Sequence, residues 1–216
     1  MPPVLPDDAA FDAEDTVAGR ILRVARDRLF ADGYAGLTMD ALAHDLGMSK
    51  KTLYAHYAGK EAIVTAIIAV TGATIRRLTA AVLSDPALSY AQRLHGVMGI
   101  VGRQFAMTTP ALMRELQRFA PGIYAELDGL RRRNIPLVIG GLLRAGLEQG
   151  QVKSGIDPDF AVEFWLQSIN GLVHPDMLER FGQTPRQAFE QGIDLFFRAV
   201  LTEAAYTRFA QAHKGG

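Results

Sequence analysis

The chain has 216 residues, a formal net charge of zero and no cysteine. These facts exclude disulfides, thiolate metal sites, cysteine nucleophiles and a uniformly basic nucleic-acid coat. At 49% hydrophobic residues it has the material for a real core, in one large domain or in a small and a medium one.

Residues 1–15 carry Asp7, Asp8, Asp12, Glu14 and Asp15 with several prolines and no basic residue, the composition of a disordered acidic tail. Nothing there reads as a secretory signal. A first helix is expected from about Thr16 to Ala31, with Ile21, Leu22, Ala25, Leu29 and Phe30 on its buried side and Gly33 ending it.

Thr38 to Lys60, TMDALAHDLGMSKKTLYAHYAGK, predicts two short helices joined by a tight turn. Thr38 is a good N-cap, and Leu42, Ala43 and Leu46 share one apolar face. Gly47 follows where a positive φ would end the helix, and Ser49 caps a second one running to Tyr57. The spacing Ala43, Gly47, Leu53 fits a helix-turn-helix: a small residue at the crossing, a glycine in the turn, an apolar anchor in the second helix. Such a motif lays its second helix in the DNA major groove. A helical hairpin with a solvated Lys50-Lys51 pair fits the same spacing. Over residues 16–60, Arg20, Arg23, Arg26, Arg28, Lys50, Lys51 and Lys60 face Asp27, Asp32, Asp40 and Asp45, an excess of three positive charges. That local excess would steer the segment toward DNA.

From Lys60 a long helix keeps its period through Ile63, Ile67, Val70, Ile75, Leu78 and Val82 to Ser84, where Asp85-Pro86 breaks it. Its apolar run from Ala62 to Ile75 is shorter than the roughly 20 residues of a bilayer span. Further helices are expected over Tyr90–Met107, Ala111–Phe119 and about Ile123–Gln149, the last with a kink or break near Arg133 caused by Pro136. Asp157-Pro158 and Thr184-Pro185-Arg186-Gln187 open the two helices with the clearest start signals, and the chain beyond about Phe209 should fray. No alternating β pattern of useful length occurs, so the fold class is all-α. The expected organisation is a tail over 1–15, a DNA-binding domain over 16–62, a larger helical domain over 63–210 and a frayed end over 211–216.

No phosphate-binding glycine loop, nucleophile elbow, dinucleotide fingerprint or zinc-protease motif is present, so neither an enzyme nor a cofactor is expected. His174 with Asp176 and Glu179 could hold a metal, but a capping histidine beside Pro175 is the simpler reading.

Residues 20–68 resemble the N-terminal domain of the TetR family of transcriptional regulators. The features that carry the likeness are LFADGY at the end of the first helix, the threonine before MDALAHDLG, the run SKKTLYAHY and the pair Lys60-Glu61. The resemblance implies DNA contacts from Thr38, Ser49, Lys50, Lys51, Thr52, Tyr54, His56, Tyr57 and Lys60, with core packing an equal alternative for Tyr57. It also implies a small-molecule pocket in the larger domain. Gly96, Gly99 and Gly102 recur on one helix and either allow close packing or leave room for a ligand. On the second reading the lining is Val97, Met98, Val101, Phe105, Leu112, Leu116, Phe119, Leu137, Trp165 and Asn170. The aromatics of the last two helices fit either core or interface; the resemblance implies dimerisation through those helices, with Phe160, Phe164, Phe189, Phe196, Phe197 and Val200 as interface candidates.

The expected protein is a cytoplasmic, homodimeric repressor released from a palindromic operator by a small apolar effector, with no membrane association. A DNA-binding protein that acts through a protein partner without an effector is the alternative. A helical enzyme or lipid carrier ranks last.

Overall fold

The computed structural model describes residues 16–107 and 109–214. The acidic tail expected over 1–15 lies outside the described residues. The chain divides into two compact units, one running through Thr74 and including Ala111–Leu127, the other formed by Ile75–Pro110 and the residues from Asp128 onward. The sequence boundary at residue 62 thus falls inside the first unit, which also recruits a later segment.

In the first unit α1 (Val17–Gly36) buries Ile21, Leu22, Ala25 and Leu29. Its regular course breaks at Gly33, where φ is 76° and ψ is −179°, and a last turn carries the chain to Leu37. Only glycine adopts that conformation without strain. α2 (Met39–Asp45) and α3 (Lys50–His56) follow, packed on each other. α4 (Lys60–Ser84) buries Ile63, Val64, Ile67 and Ile68 in its first turns. α6 (Pro110–Phe119) buries Leu112, Met113 and Leu116, and α7 (Pro121–Glu148) begins here. The carboxylate of Glu115 on α6 reaches the bend of α1.

As a whole helix α4 is long and apolar enough to cross a membrane, contrary to the count made on its uninterrupted apolar run. Its fully buried Ile63 and Val64 have a plainer role as core residues.

The second unit is built on α5 (Tyr90–Met107), the remainder of α7, α8 (Pro158–Leu172), α9 (Pro175–Phe181), α10 (Pro185–Val200) and α11 (Glu203–Lys214). α10 packs against α5 and α8, and α11 against α5 and α10. The core joins Leu94, Val97 and Met98 to Leu143, Trp165, Ile169, Phe189, Phe196, Phe197 and Phe209. Ring centroids lie 4.9 Å apart for Trp165–Phe196 and 5.2 Å for both Phe196–Phe197 and Phe197–Phe209, in the tilted arrangements aromatic rings favour.

The start signals act as the sequence predicts. Asp157 accepts the N–H groups of Asp159 and Phe160, and Thr184 and Gln187 form a reciprocal capping box. His174 stands at the N-cap of α9 without a side-chain cap bond, and no three His, Asp or Glu side chains among the described residues are placed to hold a metal. Three expectations change. Pro136 lies inside an α7 that stays helical from Pro121 to Glu148, so of the expected kink or break the break does not occur. α9 and α11 are additional helices. And α11 continues to Lys214, past the expected fraying near Phe209, because Ala205 and Phe209 are buried in the core.

Candidate nucleic-acid interface

The turn between α2 and α3 is a complete Schellman motif: Gly47 N–H donates to His44 C=O at 3.1 Å and Met48 N–H to Ala43 C=O at 3.0 Å. Gly47 has φ 61°, and nothing lies within 4 Å of the Cβ it lacks. Glycine is therefore required here by backbone conformation and not by space. Thr38 Oγ1 accepts Ala41 N–H at 3.2 Å to open α2, and Ser49 Oγ accepts Thr52 N–H at 3.1 Å to open α3. Ala43 is buried and Leu53 is the sole fully buried residue of α3. Arg28 Nε reaches Asp45 at 2.8 Å and ties α1 to α2.

These constraints leave Lys50, Lys51, Thr52, Tyr54, Ala55 and His56 exposed on α3, with Thr38 and Ser49 exposed beside them. The face is cationic and aromatic, with hydroxyl and imidazole donors, the mixture that meets phosphates and base edges. Lys51 has no acidic partner among the described residues. Lys50 is held by Asp40, whose hydrogen bond raises the ammonium pKa. Asp40 was the signal to read: it sits in the first turn of α2 and shares the exposed side with Lys50.

Two of the nine expected DNA contacts are differently placed. Tyr57 is half-buried at the C-cap of α3. Lys60 Nζ donates to Tyr34 C=O at 3.1 Å and rests 4.1 Å above the Tyr34 ring. Burial of Tyr34, with Glu61 adding a negative charge, raises its phenol pKa. Lys60 thus anchors the start of α4 to the end of α1.

The expected pocket residues divide between the two units. Leu112 and Leu116 are buried in the first unit, where Phe119 is exposed. Val97, Met98 and Trp165 belong to the core of the second unit, and Val101 packs on its edge. Leu137 is 73% exposed. Phe105 lies on α5, but its side chain is outside the described part of the structure. Asn170 Nδ2 donates to Asp128 Oδ1 at 2.9 Å, a pairing 42 residues apart that no sequence pattern announces. The hydrogen bond from Arg132 holds Asp128 below the usual carboxylate range. Of the three glycines, Gly96 and Gly102 admit close packing: a Cβ would lie 3.0 Å from Val82 and 3.2 Å from Phe189. At Gly99 it would meet only the flexible Arg103 guanidinium, at 3.6 Å.

The expected interface needs a correction. Phe189, Phe196, Phe197 and Val200 are core residues, each under 5% exposed, because α5 and α11 cover the face of α10 that carries them. The aromatics left at the surface are Phe160 and Phe164 on α8, and α10 adds the exposed Leu195.

A capped helix pair with a Schellman turn, one buried anchor and an outward cationic face defines a helix-turn-helix DNA-binding protein. Residues 21–67 match the profile of bacterial regulatory proteins of the tetR family. The chain is 23% identical over 176 residues to the uncharacterized HTH-type transcriptional regulator YvaF of Bacillus subtilis (strain 168), spanning 82% of this chain and 92% of that one. Its fold resembles the regulatory protein TetR from Rhodobacter sphaeroides (TM-score 0.65, 18% identity, covering 86% and 100% of the two chains). It also resembles SmeT, the repressor of the Stenotrophomonas maltophilia multidrug efflux pump SmeDEF, which has been solved in complex with triclosan as well (TM-score 0.64, 16% identity, covering 88% and 93%). Over residues 21–67 the chain is thus similar to the DNA-binding segment of tetR-family regulators.

Proposed function

We propose that the protein is a homodimeric repressor that binds a palindromic operator through α3 and is released by a small, mainly apolar effector held in its second unit. The observation that carries this reading is the exposed row Lys50, Lys51, Thr52, Tyr54 and His56 on a helix fixed from behind by Leu53. Lys51 and Lys50 supply cations for phosphates or guanine edges, and Tyr54 and His56 supply donors for the backbone. Thr38 and Ser49 flank them. Lys60, engaged with Tyr34, reaches a phosphate only by leaving that carbonyl.

Dimerisation is supported by Phe160, Phe164 and Leu195, exposed apolar residues on α8 and α10. A second copy is the natural cover, since two-fold symmetry matches a palindrome. The likeness to SmeT, with its triclosan complex, supports an effector of small apolar character. Release requires the effector to bind the DNA-incompetent state more tightly than the DNA-bound one. A protein that acts on the genome in this way works in the cytoplasm.

The test is selection of binding sites from a random duplex pool by the full chain, followed by affinity measurements at several salt concentrations. An enriched palindrome whose affinity falls steeply with salt is the expected result. No enriched sequence, or enrichment of a single unpaired half-site, would overturn the dimeric-repressor reading.

A further inference from the structure

The side chain of Asn170, near the end of α8, has one end satisfied and the other not. Nδ2 donates to Asp128 Oδ1 at 2.9 Å, and the other oxygen of Asp128 accepts Arg132 Nε at 2.8 Å. An ionised carboxylate only accepts hydrogen bonds, so it must face the amide nitrogen, which fixes the orientation of the amide. Asn170 Oδ1 is then turned away from Asp128. It is buried, and no donor reaches it among the described residues. Buried carbonyl oxygens almost always find a donor, and one left without it raises the energy of the state that contains it.

The setting is apolar on one side and leads outward on the other. Leu166 and Val173, about one turn to either side of Asn170, are themselves buried apolar residues. The side chain of Asp128 is 33% exposed and that of Arg132 52% exposed, so the chain of contacts from Asn170 Nδ2 through Asp128 to Arg132 runs outward to solvent, while Oδ1 points away from it.

We propose that Asn170 is the polar contact of an effector site in the second unit, and that it selects neutral ligands carrying a hydroxyl or N–H donor over anionic ones. The inference rests on the effector-responsive reading above and names the ligand chemistry. A guest that donates to Oδ1 removes the cost of the orphaned oxygen, so it favours the conformation that admits it over the closed one. This is the differential affinity an effector needs. A carboxylate guest would bring acceptors to a place that already holds two, Oδ1 and the Asp128 carboxylate. Arg132 is engaged by Asp128, and Arg131 also acts on that carboxylate, so neither is offered to the guest by a hydrogen bond at Oδ1.

The experiment uses the full chain and three probes that share a biphenyl body: 4-phenylphenol, 4-methoxybiphenyl and biphenyl-4-carboxylate. Affinities are measured by titration calorimetry for the wild type, Asn170→Leu and Asp128→Asn. The wild type should bind the phenol roughly tenfold more tightly than the ether, the factor expected of one hydrogen bond to a buried acceptor, and the carboxylate most weakly. Asn170→Leu should bind the phenol and the ether equally. Asp128→Asn, which frees the amide to rotate, should reduce the preference, and it gives the reading if Asn170→Leu does not fold. Equal binding of phenol and ether by the wild type would overturn donor selection while leaving the effector domain standing, as would a preference for the carboxylate. A preference that survives in both variants would remove Asn170 from the site. Binding of none of the three probes would count against both this inference and the effector reading.

Discussion

The carboxylate of Glu115 on α6 accepts the backbone N–H of Ala35 at 2.9 Å, across 80 residues of chain, and its Oε2 lies 2.8 Å from where a Cβ on Gly33 would stand. The bend in α1 and the acid on α6 therefore fit only together. Gly33→Ala should destabilise the protein by about 1–3 kcal/mol through backbone strain, plus the cost of displacing Glu115. Glu115→Ala in the same chain should recover the second part and not the first. Urea denaturation of the single and double variants checks this, and full recovery in the double variant would show that the φ of 76° carries no strain.

Lys51 and Lys50 should behave differently at DNA. Lys51→Ala should weaken binding and lower the salt slope by about one unit if it meets a phosphate, or relax one base position by about 1–3 kcal/mol if it meets guanine. Lys50→Ala should cost less, because the wild-type lysine must first leave Asp40. Equal losses for the two would mean that the Lys50–Asp40 pair has no influence on binding.

Phe197 and Phe164 separate core from interface. Phe197→Glu buries an unpaired charge beside Phe196 and Phe209 and should prevent folding. Phe164 is 56% exposed, and Phe164→Glu should leave a folded chain that sediments as a monomer and binds operator poorly. A Phe164→Glu dimer of unchanged strength would move the interface off α8.

Gly99→Ala should stabilise the protein by up to about 1 kcal/mol, since Ala is the better helix former and the added Cβ meets only Arg103. The melting temperature should rise by roughly 2–4 °C. The same change at Gly102, 3.2 Å from Phe189, should gain less or lose stability. Equal shifts at the two positions would show that the Phe189 ring yields freely.

Tyr90 sets an alkaline limit. Burial pushes its phenol up to about 12, and its hydroxyl donates to Leu142 C=O at 3.1 Å. With the folded pKa above the unfolded value of 10.0, the protonated side chain contributes fully below pH 10. Between pH 10 and about 12 the unfolded chain ionises and the native one does not. Stability should then fall by up to about 1.4 kcal/mol per pH unit. Tyr90→Phe should lower stability near neutrality and flatten that alkaline decline, as read from denaturation at pH 8 to 11.

The DNA-binding motif was legible because its determinants are local. Thr38, Gly47, Ser49 and Leu53 each act on residues within a few positions, so spacing alone places them. Phe189, Phe196 and Phe197 were not legible. Their number exceeds what two helices readily cover, but the second unit brings α5 and α11 against α10, and those contacts join segments far apart in sequence. The pairing of Asn170 with Asp128 was hidden for the same reason: Asn170 could be singled out as polar in an apolar helix, but its partner lies a whole helix away. Lys60 is a related case: its place after the motif marks it for DNA, and its ammonium is engaged by the Tyr34 carbonyl 26 residues earlier, a partner that spacing does not announce.

The seven residues of α3 would not hold a helix in isolation. Their shape is lent by the Ser49 cap, the Gly47 turn and Leu53. The outward residues contribute almost nothing to foldedness, so they are free to change without endangering the chain that displays them. A duplicated copy of this gene could change what α3 meets through a few substitutions among Lys50, Lys51, Thr52, Tyr54, Ala55 and His56, keeping its melting temperature. The same separation makes the helix a replaceable reading head for engineering: target preference can be rewritten on one surface while the scaffold beneath stays as it is.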